Sequence, residues 1–472
     1  MRIVVVGGDA AGMSAAHTAL RAARAARRDV TITVLEATGH TSYSACGIPY
    51  WIAGDVASGD DLVARTADEH RAAGLDLRLG ARAVAIDTDD RIVRYDGATG
   101  PGEVPYDELV LATGAIPIVP VWARPPEGGL VPGVHPVKNL DDGAVWLDLL
   151  AAADGPAVVV GGGYIGVEMA EALIRRGFRT TLVTRSGVMG SLDPDQGERI
   201  EKAMTAAGVT LRTRHTVDRL VTEGDGDDGD GDGGGGDGDG GGRVRGVVLD
   251  SGERLDAALV VLALGVEPAT ALGAAAGLPL GEAGGYLPDP GGRIGPHLWA
   301  AGDCCEVEHR ISGARAFLPL GTHANKLGRI VGDNLLGGER RFGGATGTAI
   351  TRFVAGDVHL EISRTGLSTA EATAAGYDVT SLVTEGTTAS GYMPEAEPIA
   401  TKVLADRRTR RLLGVQIVGG PGAGKRIDAA AAALWGGLDV DDLAGMDLAY
   451  APPFATVWDA LQIAARRLAE RI

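Results

Sequence analysis

The chain has 472 residues, 45% hydrophobic and 22% charged, too long for one ordinary core and long enough for about two to four domains. No apolar run is long enough to cross a bilayer, and three cysteines do not make a disulfide framework, so a cytoplasmic, reducing location is expected. A formal charge of −18 repels phosphate backbones and anionic lipid, which argues against nucleic-acid or membrane partners.

In chain order, the first predicted element is a buried strand, Arg2-Ile-Val-Val-Val, running into a glycine turn and an alanine-rich helix that extends through Arg28. Gly7 and Gly12 fill the first and third glycine places of a phosphate-binding βα turn, with Asp9 in the second. A second strand, residues 30–36, ends on Glu36, where a dinucleotide fold needs a carboxylate to accept from ribose hydroxyls. The stretch SYSACGIPY, Ser42 to Tyr50, then carries Cys46 into a segment expected to begin a helix, whose N-terminal field would lower the thiol pKa.

Residues 106–114 close another strand on the small turn Thr113-Gly114. A cleaner nucleotide turn follows, in which Gly161, Gly163 and Gly166 complete GxGxxG between a strand and a helix bearing Tyr164, Ile165 and Glu168. The next strand ends on Thr184-Arg185 instead of an acid, which suits a 2′-phosphate and favours NADPH, with NADH the alternative. Strands 216–222 and 243–249 flank Glu223 to Gly242, a run holding seven aspartates and nothing apolar, expected to be a disordered loop. Gly-Asp steps could supply calcium ligands, but no apolar residue recurs to build a β-roll, so no metal site is expected. Leu298 to Asp303 ends another strand at a position suited to a ribityl hydroxyl, with Cys304-Cys305 behind it as packing residues. From Phe342 onward, glycine-rich pieces alternate with strands such as 399–404 and 413–418, an α+β pattern.

The order of these motifs resembles the flavin-dependent pyridine nucleotide-disulfide oxidoreductases over essentially the whole chain. The resemblance implies an α/β protein with two Rossmann-like dinucleotide-binding domains and a C-terminal α+β dimerisation domain. The boundaries expected are an FAD domain at 1–148 and 283–341, a nicotinamide domain at 149–282 and an interface domain at 342–472. By the same resemblance FAD lies against Gly7, Ala11, Gly12, Glu36, Val84, Ala112, Thr113, Gly114 and Asp303. NADPH lies against Gly161, Gly163, Tyr164, Ile165, Gly166, Glu168 and Arg185.

Common members of the family carry a second cysteine five residues before the flavin-adjacent one; here that residue is Thr41. SYSACGIPY therefore looks like the single-cysteine branch, which includes CoA-disulfide reductases, persulfide reductases and NADH oxidases or peroxidases. Ser390-Gly-Tyr392-Met-Pro394, residues 424–428 and 448–454 resemble C-terminal motifs of the CoA-disulfide reductases, which makes Tyr392 and Tyr450 candidate proton donors across a homodimer. The resemblance places CoA contacts at Ser14, Thr18, Arg21 and Ser42. Two departures are Ala45 in place of an asparagine and Trp458 in place of a phosphate-binding lysine. The implied activity is reduction of CoA disulfide, or a related small disulfide or persulfide, with an NAD(P)H oxidase or peroxidase cycling Cys46 through a sulfenic acid as the alternative.

Overall fold

The structure, a computed structural model, describes residues 1–125, 128–224 and 242–472. The expected disordered loop thus lies, but for its ends, outside the described residues. Two compact units are present. The first comprises Met1–Cys46, Ser58–Ile116 and Val266–Gly347, and the second Gly47–Ala57, Pro117–Gly265 and Thr348–Ile472.

The first unit is built on a six-stranded sheet in the order Arg293–Gly295, Leu298–Ala300, Glu108–Leu111, Arg2–Val6, Thr31–Leu35, Asp76–Arg78. All neighbours are parallel except the first pair. Its central strands are continuous Val, Ile and Leu runs because a parallel sheet is covered on both faces. One covering layer pairs the helices Ala10–Ala25 and Gly321–Asn334. They approach so closely that a Cβ on Gly328 would stand 2.3 Å from the Ala11 carbonyl oxygen, and one on Gly332 2.3 Å from that of Ala15. The first helix stops at Ala25 rather than Arg28 because Arg27 turns to φ +52°. An antiparallel sheet of Arg82–Asp87, Ile92–Gly97 and Gly100–Pro105 completes the unit's principal sheets.

The second unit holds a five-stranded parallel sheet in the order Thr210–Thr213, Thr180–Thr184, Ala157–Val160, Leu259–Leu262, Val134–Pro136. Its edge strand Val134–Pro136 comes from ahead of residue 149, too short to be marked in the sequence. Val217–Thr222 and Val244–Leu249 pair antiparallel as the hairpin pattern implies. The C-terminal sheet is fully antiparallel, ordered Ala349–Ala355, Val358–Gly366, Leu412–Gly419, Pro398–Asp406, Val379–Thr387. Among the described residues no helix is long and apolar enough to cross a membrane.

Candidate active site

The two glycine turns share one construction. Gly7 sits at φ +105°, where a Cβ would lie 2.1 Å from the Ala112 carbonyl oxygen, and a Cβ on Gly12 would lie 1.9 Å from the Gly7 oxygen. Gly161 at φ +116° and Gly166 repeat this in the second unit, at 2.1 Å from the Ala263 oxygen and 2.0 Å from the Gly161 oxygen. Any side chain at these positions would force strand and helix apart, so hydrogen is required.

Neither following helix has its first turn capped by a side chain. Asp9 is the N-cap of the first helix, yet its carboxylate does not cap it, and Gly163 has no side chain to do so. A Cβ on Gly163 would meet nothing within 4 Å. The first-turn N–H groups face a cradle, which fits the pyrophosphate of a dinucleotide in each unit.

Around the first cradle, the buried Glu36 carboxylate accepts from the Gly8 N–H at 2.7 Å, the Thr38 N–H at 2.8 Å and the Thr38 hydroxyl at 2.7 Å. Oε1 is filled by the two Thr38 bonds, and Oε2 retains a lone pair for a ribose hydroxyl. Ala11 is buried, and Ala112, Thr113, Gly114 and Asp303 are half-buried in the same unit. The Thr113 hydroxyl donates to the Ala269 carbonyl at 2.6 Å, tying this turn to a later segment. Val84 is the extra residue of a bulge between Ala83 and Ala85, and its side chain is 48% exposed.

In the second unit, Thr184 is buried against the Gly162 position, whereas Arg185 is exposed just beyond it. Tyr164 and Ile165 are half-buried in the first turn of the helix Tyr164–Arg175. Glu168 is one turn further on, accepting from the Thr351 hydroxyl at 2.7 Å and the Tyr50 hydroxyl at 3.5 Å. Burial, opposed by the Thr351 hydrogen bond and reinforced by Glu171, pushes its carboxyl up to about 7. Burial beside Glu168 likewise pushes the Tyr50 phenol up to about 12. Glu171 is held by Arg175, Arg352 and the Val354 N–H, and both arginines also pair with Asp55. Two guanidiniums thus face Asp55 and Glu171, while the pKa of Glu168, beside them, is raised chiefly by burial. The Glu168–Glu171 spacing was the only sequence sign of this network; Tyr50 and Thr351 gave none.

Cys46 lies in a single 3₁₀ turn, Ala45–Gly47, and is exposed, while Cys304 and Cys305 are buried. The helix after it, Ile48–Ala53, is only six residues long, with Pro49 in its first turn. Cys304 donates to the Leu111 and Ala301 carbonyls and stands 3.9 Å from the Cys305 sulfur, both packed in the first unit's core. Thr41 is buried, and its hydroxyl donates to the Gly8 carbonyl, pinning the Cys46 segment to the first phosphate turn.

Three of the four substrate-contact candidates lie along one helix. The Ser14 hydroxyl donates to Asn325 Oδ1 at 2.8 Å, and exposed Arg21 donates to the Thr18 hydroxyl at 2.9 Å. Arg24 and Arg28 are committed instead to the Ala73 and Leu336 carbonyls. Ser42, at φ +49°, is joined through its hydroxyl to His70, and His70 to His17 on that helix. Sequence reasoning missed Asn325, His17 and His70; only the place of His17 beside Thr18 hinted at them. In the second unit Tyr392 is 75% and Tyr450 47% exposed. Arg466 lies 5.0 Å over the Trp458 ring.

Residues 1–317 match the family model described as pyridine nucleotide-disulphide oxidoreductase, and residues 357–461 match that family's dimerisation domain. The NAD(P)H coenzyme A polysulfide/persulfide reductase of Pyrococcus horikoshii is 35% identical over 472 residues, covering 99% of this chain and 98% of that protein. An NADH oxidase of Methanocaldococcus jannaschii is 30% identical over 470 residues, covering 98% of both. Among solved structures, an NAD-dependent persulfide reductase from A. fulgidus superposes with a TM-score of 0.89 at 30% identity, covering 100% of this chain and 83% of that one. With two glycine cradles of the required build and these matches along its length, the chain belongs to the pyridine nucleotide-disulphide oxidoreductase family.

Proposed function

We propose that this enzyme uses NADPH to reduce CoA disulfide, or a related low-molecular-weight disulfide or persulfide, through Cys46 alone. The carrying observation is the exposed thiol next to a segment that Thr41, a residue unable to form a disulfide, anchors to the first cradle. FAD and NAD(P)H, the family's cofactors, supply the electron pair when bound. Gly7, Gly12, Glu36, Thr113, Gly114 and Asp303, with Val84 at its bulge, would hold the flavin nucleotide. Gly161, Gly163 and Gly166 would hold the nicotinamide nucleotide, and the exposed guanidinium of Arg185 favours a 2′-phosphate.

The Cys46 thiolate attacks one substrate sulfur and the S–S bond breaks. One thiol leaves with a proton, and the other remains on Cys46 as a mixed disulfide. Two electrons and a second proton then release that thiol and restore the thiolate. Tyr392 and Tyr450 of a second copy are the proton donors in this reading, supported by their exposure and by the dimerisation-domain match. The domain limits 1–148 with 283–341, 149–282 and 342–472 assign the flavin, nicotinamide and interface roles.

The relative named an NADH oxidase supports a second reading, in which peroxide, supplied as such or by two-electron reduction of oxygen with NAD(P)H, gives one oxygen atom to Cys46 as a sulfenic acid. The other oxygen leaves as water, and two more electrons reduce the sulfenic acid back. Anaerobic NADPH consumption with CoA disulfide separates the two, since an oxidase is silent there. A Cys46→Ser variant is expected to keep its flavin absorbance and lose at least 10³-fold, as an order of magnitude, in disulfide reduction. Undiminished turnover in that variant would end the proposal.

A further inference from the structure

Within the first unit a row of four side chains runs from half-buried Ser42 through buried His70 and half-buried His17 to exposed Arg65. Ser42 Oγ stands 2.9 Å from His70 Nε2, His70 Nδ1 stands 2.7 Å from His17 Nε2, and Arg65 Nη1 stands 3.2 Å from that same His17 nitrogen. A guanidinium only donates, so with Arg65 bonded to it His17 Nε2 carries no proton, and its single lone pair is shared between Arg65 and His70. His70 must then donate from Nδ1, which leaves its Nε2 bare, and the Ser42 hydroxyl donates to it.

His70 is 1% exposed, on the short helix Ala67–Ala72. The backbone of Ser42 is held in its left-handed conformation from the same side, its carbonyl accepting from the Ala64 N–H at 2.8 Å while the Ser44 N–H donates to the Leu62 carbonyl at 2.8 Å. That conformation is strained for a residue with a Cβ, and these bonds help to hold it.

We infer that His17 and His70, locked in one tautomer by Arg65, are positioning residues that turn the Ser42 hydroxyl proton inward and leave its oxygen to substrate purely as an acceptor. The substrate group met there is an N–H or O–H, such as an amide, and not a thiolate or phosphate, for which a donor would be needed. This rests on the reading of Ser42 as a substrate contact. Burial first, and then the surrounding charges, disfavours the protonated form of both rings. Burial and the cations Arg65, Arg21 and Arg24 hold His17 below its usual value, and burial, His17 and Arg65 hold His70 down to about 4, opposed only by Glu69.

The test compares the wild-type holoenzyme with His70→Phe, which keeps the ring volume without an acceptor, and His70→Gln, whose amide oxygen can accept from Ser42. Two substrates are used: CoA disulfide, which has amide N–H groups, and 5,5′-dithiobis(2-nitrobenzoate), which has none. His70→Phe is expected to raise KM for CoA disulfide about 3- to 10-fold, the worth of one hydrogen bond, at unchanged kcat. KM for the aromatic disulfide and NADPH–ferricyanide turnover should not move, and His70→Gln should restore most of the lost affinity. An unchanged KM for CoA disulfide, or an equal rise for both substrates, overturns the inference. If wild type reduces neither disulfide, it is the functional reading that fails. The tautomers are then read directly from imidazole ¹⁵N shifts of the wild-type holoenzyme: His70 protonated at Nδ1 alone at pH 5.5 supports the inference, and an ordinary titration near 6.5 sinks it.

Discussion

A single methylene decides whether either cradle exists, since a Cβ on Gly12 or Gly166 would lie within 2.0 Å of a carbonyl oxygen. The GxGxxG spacing made that legible, because only a turn this tight demands glycine at those intervals. Glu168 is the opposite case: the motif marked it, but nothing in the sequence showed that Thr351 and Tyr50 would close over it. Its carboxyl rises from 4.5 to about 7 chiefly through burial. Between those values the native state keeps a proton that the unfolded chain has lost, so this group's contribution to stability falls as pH rises. Glu168→Gln should therefore raise the melting temperature at pH 8, by a gain of about 1–3 kcal/mol, and change little at pH 5. Thermal unfolding at the two pH values checks this, and an equal shift at both would refute it.

At the scale of elements, strands of uninterrupted Val, Ile and Leu were readable because both sheet faces are covered. Helix ends were less so. Arg27 in a left-handed conformation ends the first helix without any glycine or proline to announce it. The packing of that helix on Gly321–Asn334 was also invisible, since residues over 300 positions apart make the contact and the small residues involved look unremarkable in isolation. Gly328→Ala is expected to cost about 1–3 kcal/mol, because the added methyl would overlap the Ala11 carbonyl and the helices would have to separate. Denaturant melts read this directly. A substitution that leaves the midpoint unchanged would show that the pair can part at no cost.

At the scale of the whole molecule, the proposed site needs two copies, because the exposed tyrosines belong in this reading to a different chain from the thiol they serve. Co-refolding Cys46→Ser with a Tyr392→Phe/Tyr450→Phe chain should regain about a quarter of wild-type disulfide reduction. Half the dimers are then mixed, and one of the two sites in each is intact. A mixture no more active than its components would place tyrosines and thiol on one chain.

What the sequence determined by itself is the chemistry that depends on local spacing: two phosphate cradles, an acid at the end of the second strand, and one cysteine with no second cysteine near it in the chain. Those are properties of a few adjacent residues and survive any arrangement of the rest. Tertiary structure alone decided which side chains meet across long separations: Ser14 with Asn325, Ser42 with His70 and His17, Glu168 with Thr351. Hydrogen bonds and charge burial depend on distances of a few ångströms in space, and no pattern along the chain encodes those until the sheets have set them.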